Sequence, residues 1–473
     1  MYGLSQLDGE GVPVVHRLRM ISGGSVPDVV AGDVLTDRLV DMALASFPFQ
    51  LLPLAEDDLR FGVVDLTTPV YNHPSHDAFH LAAHEDVDLG KLFPSPGETA
   101  DHPEMVPQPF PYNVVTNLLW SSGGGGTLQL VMLSYSALQY LFAAMRAEGR
   151  FEFDLVPEFA ASTVALMRKL SRDRRATVPM IVSLAGLNLS PGVVVEMGVG
   201  RIIDASPMRG HVRSVDAQTT AALVLDVELR LLDVVPIEAS DANPGEGAFS
   251  RRMQHRSAAI EATYRAQDRE VTRARLALAL ASPEDQLLGT AARSRLVLNP
   301  LSGGSGSWSM DPYAMSGTFA STVDAELAVS IADWGRRVTA HPESMWMGAR
   351  RLNSSLAERR DPLDSFIDAV ICWETLLGAE SEVSFRVCGG LALLLEPEDH
   401  AKRLALFGEL KDLYGIRSGL VHGSREPRPG DAHKHSQRAI RIAIDAMKAV
   451  YDRPELLQAG SSGERSRRLL LGA

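Results

Sequence analysis

The hydrophobic pattern divides the chain into a first half with strand signals and a second half with helical spacing. Between Thr220 and Ile237, apolar residues alternate with others from Leu223 to Leu231, which is typical of a half-buried strand. Shorter runs rich in apolar and β-branched residues predict further strands at 47–54, 61–70, 178–184 and 192–204. Apolar residues near helical spacing predict helices over 133–145 and 159–170.

The chain after residue 250 favours helix. The stretch Arg251–Ala281 lacks both Gly and Pro and is dense in Ala, Arg, Glu and Leu, which predicts one long helix. Asp361 before Pro362 has the pattern of an N-cap followed by a proline in the first turn. Helical spacing further on predicts helices at about 321–360, 362–377, 383–395, 399–421 and 435–451.

These patterns predict an α+β protein, with an N-terminal mixed, β-rich domain followed by a C-terminal all-α helical bundle. The turn at Asn243–Gly247 is the expected domain boundary. We expect an irregular Pro-, His- and Gly-rich region with some β over 1–130, a β-rich mixed part over 131–245, a helical domain over 246–459 and a flexible tail over 460–473.

Composition narrows the class of protein. The chain has 473 residues, with 46 Lys and Arg against 59 Asp and Glu, so its formal net charge is −13. A net anion does not bind polyanions through its bulk charge, so contact with RNA needs a local basic patch. The two cysteines, Cys372 and Cys388, exclude a disulfide framework and a thiolate metal cluster. Because the sequence shows neither an apolar run of about 18 residues nor a signal-peptide pattern, we expect no membrane span and a cytoplasmic location.

The segment Leu413–Gly423, with the sequence LYGIRSGLVHG, is the strongest candidate for chemistry. Its Arg417 and His422 lie five residues apart near the end of a predicted helix. A histidine titrates near neutral pH and can exchange a proton with a ribose hydroxyl or a leaving oxygen. An arginine can hold a phosphate in a bidentate contact and stabilise its developing charge. The alternative is structural, a basic side chain at the negative end of a helix dipole.

This segment resembles the signature helix of the Apea-like branch of the HEPN superfamily, in which Arg, Ser, an apolar pair and His-Gly recur. Upstream, the stretch 361–378 resembles the preceding helix of that family, which closes on a Glu-x-Leu-x-Gly motif, here ETLLG at 374–378. The stretch 382–395 resembles the next helix and retains Arg386. The resemblance covers about residues 350–451.

The resemblance implies a helical domain that forms a two-fold homodimer. In many HEPN proteins two such motifs meet across the dimer as a metal-independent endoribonuclease site. Carried over to this chain, Arg417 and His422 take the catalytic positions, Ser418 the polar position after the arginine, and Glu374 that of a polar partner near the site. Catalytic members often carry Asn, Asp or His where Ser418 stands. The implied function is a toxin-like ribonuclease of defence or stress response that cleaves RNA by 2′-hydroxyl attack without a cofactor.

A second interpretation stays open, a non-catalytic HEPN module that binds RNA, a nucleotide or a protein partner. Local charge is compatible with RNA as the partner. The segment Lys411–Lys448 carries eight Lys or Arg and four Asp or Glu, a balance of +4 in a chain of −13. A solvated helix face would give the same local charge.

Histidines in the N-terminal region are the second candidate site. His76, His80 and His84 recur every four residues, so on a helix they would share one face, with Asp77 close by. Imidazoles at this spacing could bind zinc or another divalent ion. The neighbouring proline and the sparse apolar pattern favour an exposed loop or short helix instead. We therefore expect no bound metal and no role for this region in RNA cleavage.

Overall fold

The computed structural model describes residues 32–51, 73–93, 114–123, 125–213, 215–216, 218–236, 248–302, 305–308, 321–378, 382–423 and 427–471. The strand expected at 61–70 and the boundary turn at 243–247 lie outside these ranges. Within them, no helix is both long enough and apolar enough to cross a membrane.

Helices and strands are labelled in chain order. The helices are α1 (Val34–Ser46), α2 (Pro74–Glu85), α3 (Leu133–Ala147), α4 (Val156–Asp173), α5 (Ala248–Leu280), α6 (Ala325–Arg337), α7 (Trp346–Ala357), α8 (Pro362–Leu377), α9 (Val383–Leu395), α10 (His400–Val421), α11 (Pro429–Tyr451), α12 (Pro454–Leu457) and α13 (Ser462–Leu471). The strands are β1 (Val115–Trp120), β2 (Gly125–Gln129), β3 (Arg175–Ala185), β4 (Leu187–Leu189), β5 (Val195–Met197), β6 (Gly200–Asp204), β7 (Ala221–Pro236), β8 (Ala291–Val297), β9 (Ser305–Trp308) and β10 (Ser321–Val323).

The protein is α+β, which confirms the fold class predicted from the sequence. Strands and helices mix before residue 324, and the described chain after it is helical. Contacts between Cα atoms divide the chain into two units, each assembled from three stretches. The first unit takes 1–183, 205–267 and 294–308, and the second takes 184–204, 268–293 and 309–473.

The first unit contains a sheet whose strands lie in the order β2-β1-β7-β3-β8-β9, with β1 antiparallel to both β2 and β7. The alternation predicted for β7 is present from Leu225 to Leu231. The apolar residues of this stretch are buried, while Asp226, Glu228 and Arg230 between them are exposed. A period of two therefore places one face of the strand in the core and the other in solvent.

Helices α1, α2 and α4 of the first unit are joined by Arg168. Its guanidinium in α4 lies 2.8 Å from Asp33, the residue before α1, and 2.9 Å from Asp86, the residue after α2. The hydrogen bond from Arg168 holds the pKa of Asp33 below its ordinary value. The carboxylates of Asp33, before α1, and of Asp86, after α2, thus share the guanidinium of Arg168.

Helix α8 lies at the centre of the second unit, where it packs against α7, α9, α11 and α13. Phe366, Cys372 and Trp373 are fully buried along it. The Trp373 indole Nε1 donates a hydrogen bond to the backbone carbonyl of Ala439 in α11 over 3.1 Å. The aromatic ring buries a large apolar area and its one polar atom finds a partner, so α8 and α11 are held in register.

The predicted helices over 133–145, 159–170, 362–377 and 383–395 are confirmed. In α10 the predicted first residue, Asp399, is instead the N-cap, and its carboxylate accepts a hydrogen bond from the Lys402 backbone N–H over 3.0 Å. Helix α10 lies on the surface for most of its length, because only Leu410 and Leu413 of its residues are buried.

The strand expected at 47–54 is wrong over its described part, which is a 3-10 helix at Phe47–Leu51. Pro48 lacks the N–H that a strand ladder needs. Phe47 is buried instead by stacking on Phe151, with ring centroids 4.9 Å apart. The aromatic content that suggested a strand belongs to an aromatic cluster.

The helix expected over 321–360 is divided by the structure into β10, α6 and α7, and β10 pairs in parallel with β4. The flexible tail expected after 460 is also wrong over its described residues. Ser462–Leu471 forms α13, and Arg465 within it is fully buried. The helix is held by a tertiary contact of Arg465, which the polar composition of this segment does not indicate.

Candidate functional site

Glu374, in the last turn of α8, is bound by two side chains of α10. The Tyr414 hydroxyl donates to its Oε1 over 2.7 Å, and the Arg417 Nη2 donates to its Oε2 over 3.2 Å. Tyr414 and Arg417 are three residues apart, so they share one face of α10. Glu374 therefore contacts Tyr414 through one carboxylate oxygen and Arg417 through the other.

The surroundings favour the protonated form of Tyr414. Burial first, and then the hydrogen bond to Glu374, raise the pKa of the Tyr414 phenol above its ordinary value. The side chains of Glu374 and Arg417 are 22% and 23% exposed, so their attraction is less screened than that of a surface pair. The buried Arg417 Nε has no hydrogen-bond partner in the described part of the chain. Among the described residues Arg417 is thus held through Nη2, while its Nε is buried out of reach of a ligand.

The Glu-x-Leu-x-Gly motif has a structural basis in this corner. The Gly378 N–H donates to the Glu374 carbonyl over 2.7 Å and closes α8. A Cβ at Gly378 would stand 2.5 Å from that carbonyl oxygen, closer than real Cβ atoms approach. Leu376, between them, is fully buried. Glycine and leucine therefore fix the end of α8, and with it the position of Glu374.

An open cleft of about 940 Å³ lies beside this corner. Glu374, Tyr414 and Arg417 form one side of it, and α9 contributes Arg386. Helix α13 lines a further part of the cleft with Glu464 and Arg467. Three guanidinium groups and two carboxylates line the same concave surface, an arrangement suited to a phosphate-bearing ligand.

Ser418 lies elsewhere on α10, and His422 directly follows that helix. His422 is the exposed residue that follows Val421 at the end of the helix, and its backbone N–H donates to the Ser418 carbonyl over 3.1 Å. His422 stands five positions after Arg417, which sets the two side chains about 140° apart around the helix axis. Of the four predicted site residues, the cleft is lined by Glu374 and Arg417.

Comparison with known proteins assigns no family. No protein-family model matches the chain, and neither a curated protein nor a solved structure is significantly similar to it. The HEPN resemblance rests on the motifs at 361–378, 382–395 and 413–423 and stays a prediction.

Tyr414 and Arg467 belong to the site and were missed by sequence reasoning. The sequence could have indicated Tyr414, because a residue three positions before Arg417 lies on the same face of the helix. No sequence pattern indicated Arg467, because the polar segment around it resembles a flexible tail.

The histidine segment forms helix α2, which is more buried than its sequence suggests. His76 and His80 are both buried, with ring centroids 4.3 Å apart. The Ser134 hydroxyl of α3 lies 3.0 Å from His76 Nδ1 and 3.1 Å from His80 Nε2. Burial, and then the neighbouring His76, lower the pKa of His80 to about 3, and burial also lowers the pKa of His76, so both rings are neutral at pH 7.

Within the described chain, His76, Asp77 and His80 each offer a ligand atom within 4.8 Å of the others. His84 is not part of this set. The two buried rings already share Ser134, which gives them a structural role.

Proposed function

We propose that this chain is an HEPN-type, metal-independent endoribonuclease of the cytoplasm that acts in defence or stress response. The observation that carries the proposal is the position of Arg417, fixed by Glu374 at the rim of a cleft that also contains Arg386 and Arg467. Guanidinium groups match the bidentate geometry of phosphate oxygens. RNA is the proposed substrate, and it supplies its own nucleophile.

In the proposed reaction a ribose 2′-hydroxyl attacks the adjacent phosphorus, and the bond from phosphorus to the 5′-oxygen breaks. His422 exchanges the protons, taking one from the 2′-hydroxyl or giving one to the leaving 5′-oxygen. Arg417 stabilises the charge that develops on the phosphate oxygens. The products carry a 2′,3′-cyclic phosphate and a 5′-hydroxyl. No metal or cofactor takes part in this scheme.

The proposal requires a two-fold homodimer, because Arg417 and His422 diverge by about 140° within one chain. A second copy would place its His422 beside Arg417 of the first. The exposed surface of α10 supports this: Leu404 is 58% exposed and Val421 is 53% exposed. A Cβ at Gly408 or Gly415, between them, would meet no atom within 4 Å. Leu404, Gly408 and Gly415 lie within about 40° of one another around the helix axis, and Val421 lies about 100° from Leu404, so the open strip for a partner helix is the one that the first three form.

Incubation of the purified chain with mixed RNA in EDTA tests this function. We expect wild-type protein to cleave RNA and to leave 2′,3′-cyclic phosphate ends. His422→Ala should reduce the rate by about 10² to 10⁴ while the circular dichroism spectrum stays unchanged. Full activity in His422→Ala, or activity abolished by EDTA, would remove the proposed mechanism.

A non-catalytic module that binds RNA, a nucleotide or a partner protein is the second candidate. It is favoured by the ion pair that already occupies Arg417 and by the position of His422 outside the cleft. In that case His422→Ala would leave ligand affinity unchanged, and wild-type protein would leave RNA intact.

A further inference from the structure

The cleft contains two arginines that Glu374 does not engage. Glu374 binds Tyr414 and Arg417. The side chains of Arg386 and Arg467 have neither a hydrogen bond nor an ion pair among the described residues. Two guanidinium groups with unused donors therefore face the same open space.

The other carboxylate in the cleft is engaged by different groups. Glu464 accepts hydrogen bonds from the Arg468 side chain over 2.5 Å and from the Gly460 backbone N–H over 2.9 Å. The backbone contact is the first cause of the lowered pKa of Glu464, and the charge of Arg467 is the last. Arg467 is thus left with its donors directed to the cleft and to solvent.

The position of Arg467 is fixed by its neighbour. Arg465 is fully buried and donates hydrogen bonds to the backbone carbonyls of Leu376, Ala459 and Thr375 at 2.8 to 3.1 Å. Ser466 is also buried, and Arg467 is the next exposed residue. The C-terminal helix is therefore anchored on the end of α8, and Arg467 belongs to this anchored helix.

We propose that Arg386 and Arg467 form a subsite for backbone phosphates of single-stranded RNA, next to the phosphate bound at Arg417. This inference rests on the proposed function for the identity of the ligand as RNA. The cleft is open and wider than one phosphate, with about 940 Å³ of space. Two guanidinium groups at separate points of its wall suit a chain of phosphates better than a single anion.

The test measures binding separately from cleavage. A fluorescein-labelled single-stranded RNA of mixed sequence is titrated, by anisotropy, with the full chain carrying His422→Ala. In this background we compare Arg386→Gln, Arg467→Gln and the double variant. Arg256→Gln is the control, since Arg256 is an exposed arginine of α5 outside the cleft.

We expect each cleft variant to weaken RNA binding about 10-fold and the double variant about 100-fold. The slope of log affinity against log salt should become shallower by about 0.7 for each phosphate that the variant no longer neutralises. Arg256→Gln should change neither quantity. A merely structural role would alter the melting temperature without this change in salt slope.

Other outcomes separate the two proposals. Affinity unchanged in the double variant overturns the subsite, even if wild-type protein cleaves RNA. Weaker affinity in the variants, with RNA left intact by wild-type protein, supports the subsite and removes the ribonuclease. The chain could also bind AMP or inorganic phosphate through Arg467 and fail to bind RNA. That result would overturn RNA as the ligand of the subsite and assign a small anion instead.

Discussion

Arg465 donates a hydrogen bond from Nε to the backbone carbonyl of Leu376 over 2.8 Å, and this contact joins the C-terminal helix α13 to the end of α8. The same guanidinium donates to the carbonyls of Thr375 and Ala459 and to the Ser344 hydroxyl. Burial lowers the pKa of Arg465 to about 10, so the group stays charged at pH 7. One side chain therefore satisfies carbonyls that a helix end leaves without partners.

Arg465→Met should destabilise the second unit strongly. The substitution keeps a long apolar stem but leaves several buried carbonyls without donors, which costs about 3 to 5 kcal/mol. Urea unfolding monitored by circular dichroism measures the change. Arg467→Met, two residues away and exposed, is the matched control and should change the free energy of unfolding by less than about 0.5 kcal/mol. Equal stability of the two variants would show that the buried contact is not needed.

The buried imidazole of His80 should make the stability of the chain depend on pH. Its pKa is about 3 in the folded state, below the unfolded value of 6.5, so folding favours the neutral form. Its stabilising contribution is then complete above pH 6.5 and is lost as the pH falls towards 3. Between pH 7 and pH 5 this loss amounts to about 2 kcal/mol.

The check on His80 is a comparison of urea midpoints at pH 7 and pH 5 in wild-type protein and in His80→Leu. The wild-type midpoint should fall further than that of the variant, because leucine cannot bind the proton. His422→Leu, at an exposed site, is the control and should follow wild type. A fall of equal size in His80→Leu would contradict the assignment.

Gly378→Ala should destabilise the corner that holds Glu374. An alanine Cβ would come within 2.5 Å of the Glu374 carbonyl, and the end of α8 has to shift to accept it. We expect a loss of about 1 to 3 kcal/mol in the free energy of unfolding. Gly430→Ala in the first turn of α11 is the control, because its Cβ meets no atom within 4 Å. Alanine at the control position should stabilise its helix by about 0.5 to 1 kcal/mol. Thermal melts should therefore show a lower melting temperature than wild type for Gly378→Ala and a higher one for the control variant.

The exposed face of α10 should carry the dimer contact. Leu404→Glu together with Val421→Glu places charge at two exposed apolar points of α10, so an interface formed by either side of the helix would have to bury a charge. We expect light scattering to give a dimer mass for wild-type protein at micromolar concentration and a monomer mass for the double variant. Val329→Glu, on the exposed side of α6, should remain dimeric. A monomeric wild type would contradict the prediction.

Local sequence signals predicted α8 well, because caps and apolar spacing coincide in this helix. Asp361 caps α8 by accepting from the Leu363 N–H over 2.8 Å, and Gly378 closes it, both as the sequence suggests. The sequence could not predict α13, whose anchor is the buried charge of Arg465. Its partners Ser344 and Leu376 lie about a hundred residues upstream, beyond any local pattern.

The candidate site was predicted only in part, because some of its residues meet through contacts between segments far apart in the sequence. Glu374 and Arg417 were named from motifs, and the structure brings them into contact. Arg467 reaches the cleft through the anchoring of α13, which only the tertiary structure shows. His422 was named with Arg417 from the motif at 413–423 that both belong to, yet helical geometry turns them to different sides.

Subunit complementation tests most directly whether Arg417 and His422 act together from two copies of the chain. Arg417→Lys and His422→Ala should each be inactive alone, because lysine lacks the bidentate contact and alanine cannot transfer a proton. A mixed dimer of the two variants has one site with both residues intact. Co-expression of the two variants should therefore restore about a quarter of the wild-type RNA cleavage rate. A mixture as inactive as either variant, in which differently tagged chains co-purify as heterodimers, would contradict a site shared between two copies.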